Sequence, residues 1–339
     1  MVENRSFSRR NFLKAGGAAG TALLGASFLT GSAASEVRAA ASPASRRAGG
    51  SGSPLADSFV RLTRRTQWQQ VAVVPVGFRT YHPQGMAKVK DRFFVSSVEV
   101  IVRPEVYEQP IDGYDRSPGE GVGHLFEVGP DGTLLRQITL GEGTIYHPGG
   151  IDYDGEYVWV PVAEYRPDSH SIIYRVNPKT LEATEVFRFP DHIGGIVHNT
   201  DAGTLHGVSW GSRRLYRWTL NDSLEVTDAD RPPEELYTLN KEHYIDYQDC
   251  QYVGGNMALC SGVVIYNTPE DPDLHFGGID LVDLRTDTPA WQIPVTLWTE
   301  SGLAMTLNPF FVEKSSGVLR FYFMPEDDNS RLFVYDAVV

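Results

Sequence analysis

The chain has 339 residues, of which 41% are hydrophobic and 22% are charged, and its formal net charge is -13. A surface with this excess of negative charge repels phosphate backbones and anionic lipids. Nucleic acid is therefore excluded as an expected partner, and so is an anionic membrane surface.

The first 41 residues have the pattern of an export signal. Residues 8–14, SRRNFLK, match the twin-arginine pattern S-R-R-x-F-L-K at every specified position. A mildly apolar stretch rich in Gly and Ala follows at 15–34, and a site suited to cleavage follows it, either Ala39-Ala40-Ala41 or Val37-Arg38-Ala39. An N-terminal membrane helix is the alternative, but the stretch is weakly hydrophobic and no Cys follows it for a lipid anchor. The sequence predicts export by the twin-arginine route and a secreted, cell-envelope or periplasmic protein.

Residues 42–66 are predicted to be a flexible linker and lead-in, since they include the run Gly49 to Ser53, GGSGS. Cleavage after residue 41 removes five basic and two acidic residues, which leaves 25 basic against 41 acidic residues and a net charge of -16. That charge suits a soluble secreted protein with no membrane association after signal removal. Residues 67–339 form the predicted folded domain.

The stretch from His147 to Pro190 predicts four short antiparallel strands. They cover 151–153, 157–162, 172–176 and 183–189, with a turn at Asp154-Gly155 and a second at Asn177-Pro178. Four strands in about 45 residues cannot bury their faces alone, and this size matches one blade of a β-propeller.

Further copies of this unit predict a closed ring. Blade starts occur near residues 82, 147, 192, 246 and 304, and residues 100–121 are an insertion in the first copy. The last copy supplies only three strands, and Trp68 to Val76 stands alone before the first, so this segment is predicted to close the ring. The fold predicted is all-β, a single five-bladed propeller. The uneven spacing leaves six blades as the alternative.

Cys250 and Cys260 are the only cysteines. A tight hairpin at residues 254–256 places them opposite each other on paired strands, so a disulfide is geometrically allowed in an oxidising compartment. Two buried free thiols are the alternative, and the sequence does not decide between them.

Candidate functional residues lie where propellers bind ligands. The loops that precede the innermost strands and those that join second to third strands share one end of the ring. The candidate catalytic residues at that end are His82, His147, His192, Glu99 and Glu164. His82, His147 and His192 are also the candidate ligands of one divalent metal ion, because imidazole and carboxylate suit Zn, Fe or Mn. Acid and base catalysis is the other chemistry that fits, and a structural turn at each blade start fits equally well.

The leader, the HPQGM and HPGGID blade starts and the DGEYVWV hairpin together resemble a bacterial family of exported propellers with no assigned activity. The blade pattern from Trp68 onward is also distantly similar, in architecture only, to gluconolactonase and strictosidine-synthase-like propellers. Those groups hold a channel metal with Glu, Asn and Asp, whereas this chain has His at the corresponding starts, so no catalytic residue is transferred.

The expected function is that of a hydrolase or lyase acting on a small polar substrate at a His-lined channel mouth. The alternative is a propeller that binds a small molecule or a protein without chemistry. The sequence leaves the substrate and the cofactor open.

Overall fold

The structure is a computed structural model that describes residues 52–241, 244–269 and 273–339. It contains helix α1 (Pro54–Phe59) and two single 3-10 turns, at Trp210–Ser212 and Pro233–Glu235. The first strands are β1 (Trp68–Pro75), β2 (His82–Val89), β3 (Arg92–Val102), β4 (Val106–Ile111), β5 (Tyr114–Arg116), β6 (Glu120–Val128), β7 (Leu134–Leu140), β8 (Ile145–Pro148), β9 (Asp152–Tyr153), β10 (Val158–Glu164), β11 (Ser171–Val176) and β12 (Ala183–Phe189). The remaining strands are β13 (Ile193–Asn199), β14 (Thr204–Ser209), β15 (Arg214–Thr219), β16 (Tyr237–Leu239), β17 (Asp246–Gly254), β18 (Met257–Tyr266), β19 (Leu274–Asp283), β20 (Thr288–Val295), β21 (Phe310–Ser315), β22 (Val318–Phe323) and β23 (Arg331–Val338).

Apart from β4 and β5, which pair only with each other, these strands form five antiparallel sheets arranged as the blades of a ring, which confirms the predicted five-bladed propeller. From the innermost strand outward, blade 1 is β2-β3-β6-β7, blade 3 is β13-β14-β15-β16 and blade 4 is β17-β18-β19-β20. Blade 2 is β10-β11-β12 with its innermost strand divided into β8 and β9, both of which pair with β10.

Blade 5 joins the two ends of the domain. Its order is β21-β22-β23-β1, and β1 pairs antiparallel with β23 from Trp68 opposite Ala337 to Pro75 opposite Arg331. The predicted closing strand is therefore confirmed. An N-terminal strand thus completes the C-terminal blade, and the pairing of β1 with β23 closes the ring. The predicted start of this blade near 304 is wrong, because its innermost strand begins at Phe310.

The hydrophobic core consists of five apolar layers, one between each pair of adjacent blades. Strand side chains alternate between the two faces of a blade, so both faces carry apolar residues for the neighbouring blades. Trp159 and Trp218 are fully buried in the layer between blades 2 and 3. No blade can bury both faces without its neighbours, which is why the repeat folds only as a ring.

Helix α1 extends the layer between blades 4 and 5. Ser53 caps it by accepting from the Ala56 N–H at 3.1 Å, and Phe59 and Leu62 are buried against the strands of both blades. Part of the predicted lead-in at 42–66 thus packs on the ring. The predicted signal peptide, residues 1–41, lies outside the described residues.

Cys250 and Cys260 are opposite each other on β17 and β18 and form a disulfide.

The predicted insertion at 100–121 contains a separate two-stranded hairpin, β4–β5, between β3 and β6 of blade 1. Within the part of the chain that the structure describes, no helix has the length and apolar character needed to cross a membrane.

Candidate functional site

The candidate site lies at the end of the ring where the innermost strands begin, which we call the mouth. In an antiparallel blade, the loop between the second and third strands returns to the same end as the start of the first strand. In blade 1 this loop covers residues 103–119 and contains hairpin β4–β5. The corresponding loops of blades 2 and 3 are residues 165–170 and 210–213.

Glycine at the blade starts lets the inner strands touch through their backbones. A Cβ on Gly85 would lie 2.4 Å from the Ile151 nitrogen, and one on Gly149 would lie 2.2 Å from the Gly194 oxygen. Gly150 and Gly195 form a parallel bridge between blades 2 and 3. The glycines of the repeated H-x-x-G pattern therefore have a structural role, which is the close approach of adjacent blades.

Asp249 stands in blade 4 where blades 1, 2 and 3 have this glycine, and its carboxylate accepts from backbone N–H groups of four blades. Oδ2 accepts from the N–H groups of Met86 at 2.8 Å and Phe310 at 3.2 Å, and Oδ1 accepts from Ile151 at 3.0 Å and Cys250 at 3.1 Å. Burial raises the pKa of Asp249 well above its ordinary value. Asp249 is only 1% exposed and lies among the innermost strands of the blades that it joins.

Two of the predicted histidines, His147 and His192, meet at the mouth in an aromatic cluster with Tyr165 and Trp210. The His147 ring centroid lies 4.1 Å from Tyr165 and 5.9 Å from His192, and His192 lies 4.8 Å from Trp210 in an edge-to-face arrangement. His147 and His192 are buried, and Tyr165 and Trp210 are partly exposed. Blades 2 and 3 thus present the aromatic cluster toward the mouth.

His192 has its tautomer set by the backbone. Its Nδ1 lies 2.8 Å from the carbonyl oxygen of Glu164, so Nδ1 carries the proton and donates it. Burial lowers the pKa of His192, although nearby backbone acceptors and Asp191 oppose this effect. The neutral imidazole consequently has Nε2 as its basic nitrogen.

Glu164 holds the loop beside the aromatic cluster. Thr144 donates to Oε1 and Arg166 Nε donates to Oε2, both at 2.6 Å, and the Arg166 guanidinium carbon lies 3.4 Å from the ring centroid of Tyr114. Tyr114 belongs to hairpin β4–β5, so this chain of contacts ties the hairpin to blade 2. The carboxylate of Glu164 has a positioning role in this arrangement.

Hairpin β4–β5 also reaches blade 3. The guanidinium carbon of Arg116 lies 5.3 Å from the Trp210 ring centroid, and Arg116 is only 4% exposed. Tyr146 of blade 2 donates to the Pro118 carbonyl at 2.8 Å. The insertion therefore contacts both blades that carry the aromatic cluster.

The other two predicted residues lie elsewhere on the mouth. His82 Nδ1 lies 2.7 Å from Asp327 Oδ1, between blades 1 and 5. Glu99 lies 3.5 Å from Nε2 of His124, a buried histidine stacked between Tyr81 and Phe126. Burial lowers the pKa of His124 more than Glu99 raises it.

The structure gives the three repeated histidines unlike partners. Among residues 52–241, 244–269 and 273–339, no group of three or more His, Cys, Asp or Glu side chains is placed to hold a metal ion. The catalytic role of His82, His147, His192, Glu99 and Glu164 stays a prediction.

A separate cavity of about 120 Å³ lies farther along the innermost strands. Its lining residues are Met86, Ala87, Lys88, Asp152, Tyr153, Gln251, Tyr252 and Phe311. Asp152 accepts from the N–H groups of Tyr252 at 3.1 Å and His198 at 3.2 Å, and burial raises its pKa to about 7. The Asp152 carboxyl therefore links blade 2 to blades 3 and 4 through backbone N–H groups, in the same way that the Asp249 carboxyl links blade 4 to blades 1, 2 and 5.

Comparison with known proteins assigns the family but no activity. Residues 48–339 match DUF6454, a family of unknown function. The chain belongs to this family. No curated protein matches the chain.

Several solved structures are similar in fold. A hypothetical protein from Leishmania major has 13% identity and a TM-score of 0.47, over 80% of this chain and 90% of that one. A mannose phosphorylase from Leishmania mexicana, in complex with phosphate ion, has 12% identity and a TM-score of 0.46, over 80% and 88%. A luciferin-regenerating enzyme has 9% identity and a TM-score of 0.43, over 81% and 95%.

Sequence reasoning missed Tyr165, Tyr114 and Arg116. Tyr165 directly follows Glu164, and its position after a second strand was a signal that could have found it. Tyr114 and Arg116 lie in an insertion with no repeat to align, so no internal pattern marks them.

Proposed function

We propose that this DUF6454 protein is an exported propeller that binds a small polar ligand at its mouth, between blades 2 and 3 and beside hairpin β4–β5. The observation that carries the proposal is the aromatic cluster, in which two imidazoles, a phenol and an indole lie in one continuous set of contacts. Aromatic faces combined with a few polar groups are typical of sites that orient small ligands.

The charges around the aromatic cluster also favour a small ligand over a polymer. Arg166 is paired with Glu164, and Arg213 is paired with Asp246 at 2.9 Å, so these groups form neutral pairs rather than a basic surface. With the negative net charge of the chain, this argues against nucleic acid and anionic membranes as partners. A protein partner is the alternative occupant of the mouth.

Catalysis as a hydrolase or lyase is the second candidate function, and His192 favours it. A neutral imidazole whose Nδ1 is fixed as donor presents Nε2 as a proton acceptor, the arrangement that general base catalysis uses. His147, with its ring 5.9 Å away, is the second group that could transfer a proton in the same place.

Export is supported by two features of the chain. The SRRNFLK segment matches the twin-arginine pattern, and the Cys250–Cys260 disulfide is of the kind that persists in oxidising compartments. We therefore propose that the ligand is met outside the cytoplasm.

The binding proposal is tested with Trp210→Phe and a matched control, Trp291→Phe, on an outer strand of blade 4. Neutral monosaccharides, small hydroxy acids and simple lactones are screened by thermal shift and tryptophan fluorescence on the chain without residues 1–41. We expect at least one class to bind the wild type, about fivefold to tenfold more weakly to Trp210→Phe because part of the stacking energy is lost. The Trp291→Phe control should bind as the wild type does, and equal affinity in both variants would contradict the site.

Catalysis is separated from binding with His192→Gln. Product formation from each bound compound is followed by NMR, and affinity is measured in parallel. Turnover that is lost while affinity is retained identifies an enzyme with His192 as base. Binding without product in the wild type leaves the binding function alone.

A further inference from the structure

Arg116 is the most deeply buried cation that we find at the mouth among the described residues. It ends β5, is only 4% exposed, and has its guanidinium over the indole of Trp210. Burying a guanidinium is costly unless a carboxylate is bonded to it. The identity of that carboxylate therefore matters for what the mouth can bind.

The carboxylate belongs to the preceding residue, Asp115. Arg116 Nε donates to Oδ1 at 2.8 Å and Nη2 donates to Oδ2 at 2.5 Å, the two-bond fork in which guanidinium recognises carboxylates. The Asp115 side chain is 44% exposed, whereas that of Arg116 is 5% exposed. The fork joins neighbours in the chain, so it ties no two blades together.

These two features make Asp115 exchangeable. An exposed Asp can rotate into water without uncovering apolar surface, and its carboxylate is solvated there. A carboxylate from solution that replaced it would find the same fork, held in place by Trp210. The other cations beside the aromatic cluster are less suited, because Glu164 fixes Arg166 and Arg213 is half-exposed.

We propose that the mouth takes a small carboxylate, which replaces Asp115 on Arg116 and lays the rest of its structure against Trp210. This deepens the proposed function and rests on it, because the same aromatic cluster supplies the contacts. The remainder of the ligand then lies near His147, Tyr165 and His192.

The test uses acetate, glycolate and lactate, each against its neutral amide, by calorimetric titration of the chain without residues 1–41. The variants are Asp115→Asn, Arg116→Gln, Arg116→Lys and the control Arg213→Gln, a half-exposed arginine at the same mouth. Circular dichroism and thermal melting establish that each variant is folded.

We expect a carboxylate to bind at least tenfold more tightly than its amide. Asp115→Asn should strengthen carboxylate binding about tenfold, because the internal competitor loses its charge, and should leave amide binding unchanged. Arg116→Gln should abolish the preference, and Arg116→Lys should restore it only in part, since an ammonium makes no fork. Arg213→Gln should bind as the wild type does.

Three outcomes overturn the proposal: no carboxylate binds the wild type, acids and amides bind equally, or Asp115→Asn leaves acid affinity unchanged. If neutral compounds bind with a dependence on Trp210 but none on Arg116, the carboxylate specificity is wrong and the binding function stands. If Trp210→Phe has no effect on any bound compound, the proposed function itself is wrong.

Discussion

Replacing Asp249 tests whether one side chain holds the ring together. In Asp249→Ala, the N–H groups of Met86, Ile151 and Phe310, from blades 1, 2 and 5, lose their acceptor in a fully buried place. Each buried N–H left without a partner costs about 1–3 kcal/mol. The three cross-blade bonds together imply a loss of about 3–9 kcal/mol, which is comparable with the whole stability of a domain, about 5–15 kcal/mol.

The measurement is urea unfolding of the chain without residues 1–41, followed by circular dichroism. The free energy of unfolding of Asp249→Asn should lie between those of the wild type and Asp249→Ala, since the single amide oxygen can still accept two of the bonds. Asp246→Ala is the matched control on the same strand. Asp246 is 44% exposed and pairs with an exposed Arg213, so its loss should cost no more than about 1 kcal/mol.

The reasoning is refuted if the free energies of unfolding of Asp249→Ala and Asp246→Ala differ by less than about 1 kcal/mol. That result would mean that water enters the axis and satisfies the N–H groups. If Asp249→Ala is too unstable to purify, the Asn variant still gives a measurable difference from the control.

Two further predictions concern closure and export. Trp68→Ala should lower the free energy of unfolding by about 2 kcal/mol in the same urea assay, because this half-buried ring packs edge-on against Phe321 at 5.0 Å. The control is Gln69→Ala, at an exposed residue of the same strand, which should change the free energy of unfolding by less than about 0.5 kcal/mol. Similar values for the two variants would count against closure by β1. Replacing Arg9 and Arg10 with Lys should stop appearance of the protein outside the cytoplasm, measured by fractionation and immunoblotting, and continued export of that variant would contradict the twin-arginine route.

The fold could be predicted from the sequence because its strands repeat. Turn residues such as Asp154-Gly155 and alternation such as that of residues 158–164 are local signals, and five copies of them fix a ring. The closing strand followed from counting, because the last copy lacked one strand. The start of blade 5 was misplaced because the stretch 304–309 is apolar but forms a loop.

The candidate site was only partly predictable, because contacts at the mouth come from neighbouring blades. His82, His147 and His192 occupy equivalent places in the repeat, yet they contact Asp327, Tyr165 and the Glu164 carbonyl respectively. Repetition therefore predicted their position and not their surroundings. The glycine that follows each of them was the more regular signal, and its cause is the backbone contact at the axis.

The last prediction concerns the pH dependence of stability and depends on Asp152. Burial raises its pKa from 3.8 to about 7, and the nearby Asp154 adds to this, while the N–H groups of Tyr252 and His198 and the charge of His198 oppose it. The folded state therefore binds this proton more tightly than the unfolded state does. Its stabilising effect is complete below about pH 4 and is lost as the pH rises to about 7, a change on the order of a few kcal/mol.

Other groups act in the opposite direction, so the test must be a difference between two variants. Asp154, whose pKa is lowered by bonds from His198 and Trp159 despite its burial, loses its stabilising effect as the pH falls. Asp152→Asn leaves that group in place and removes only the titration of residue 152. We expect the Asn variant to gain stability relative to the wild type as the pH rises from 4 to 7, in urea unfolding at each pH. A difference that stays constant over this range would show that Asp152 is ionised throughout, and that the cavity beside it holds enough water to solvate the charge.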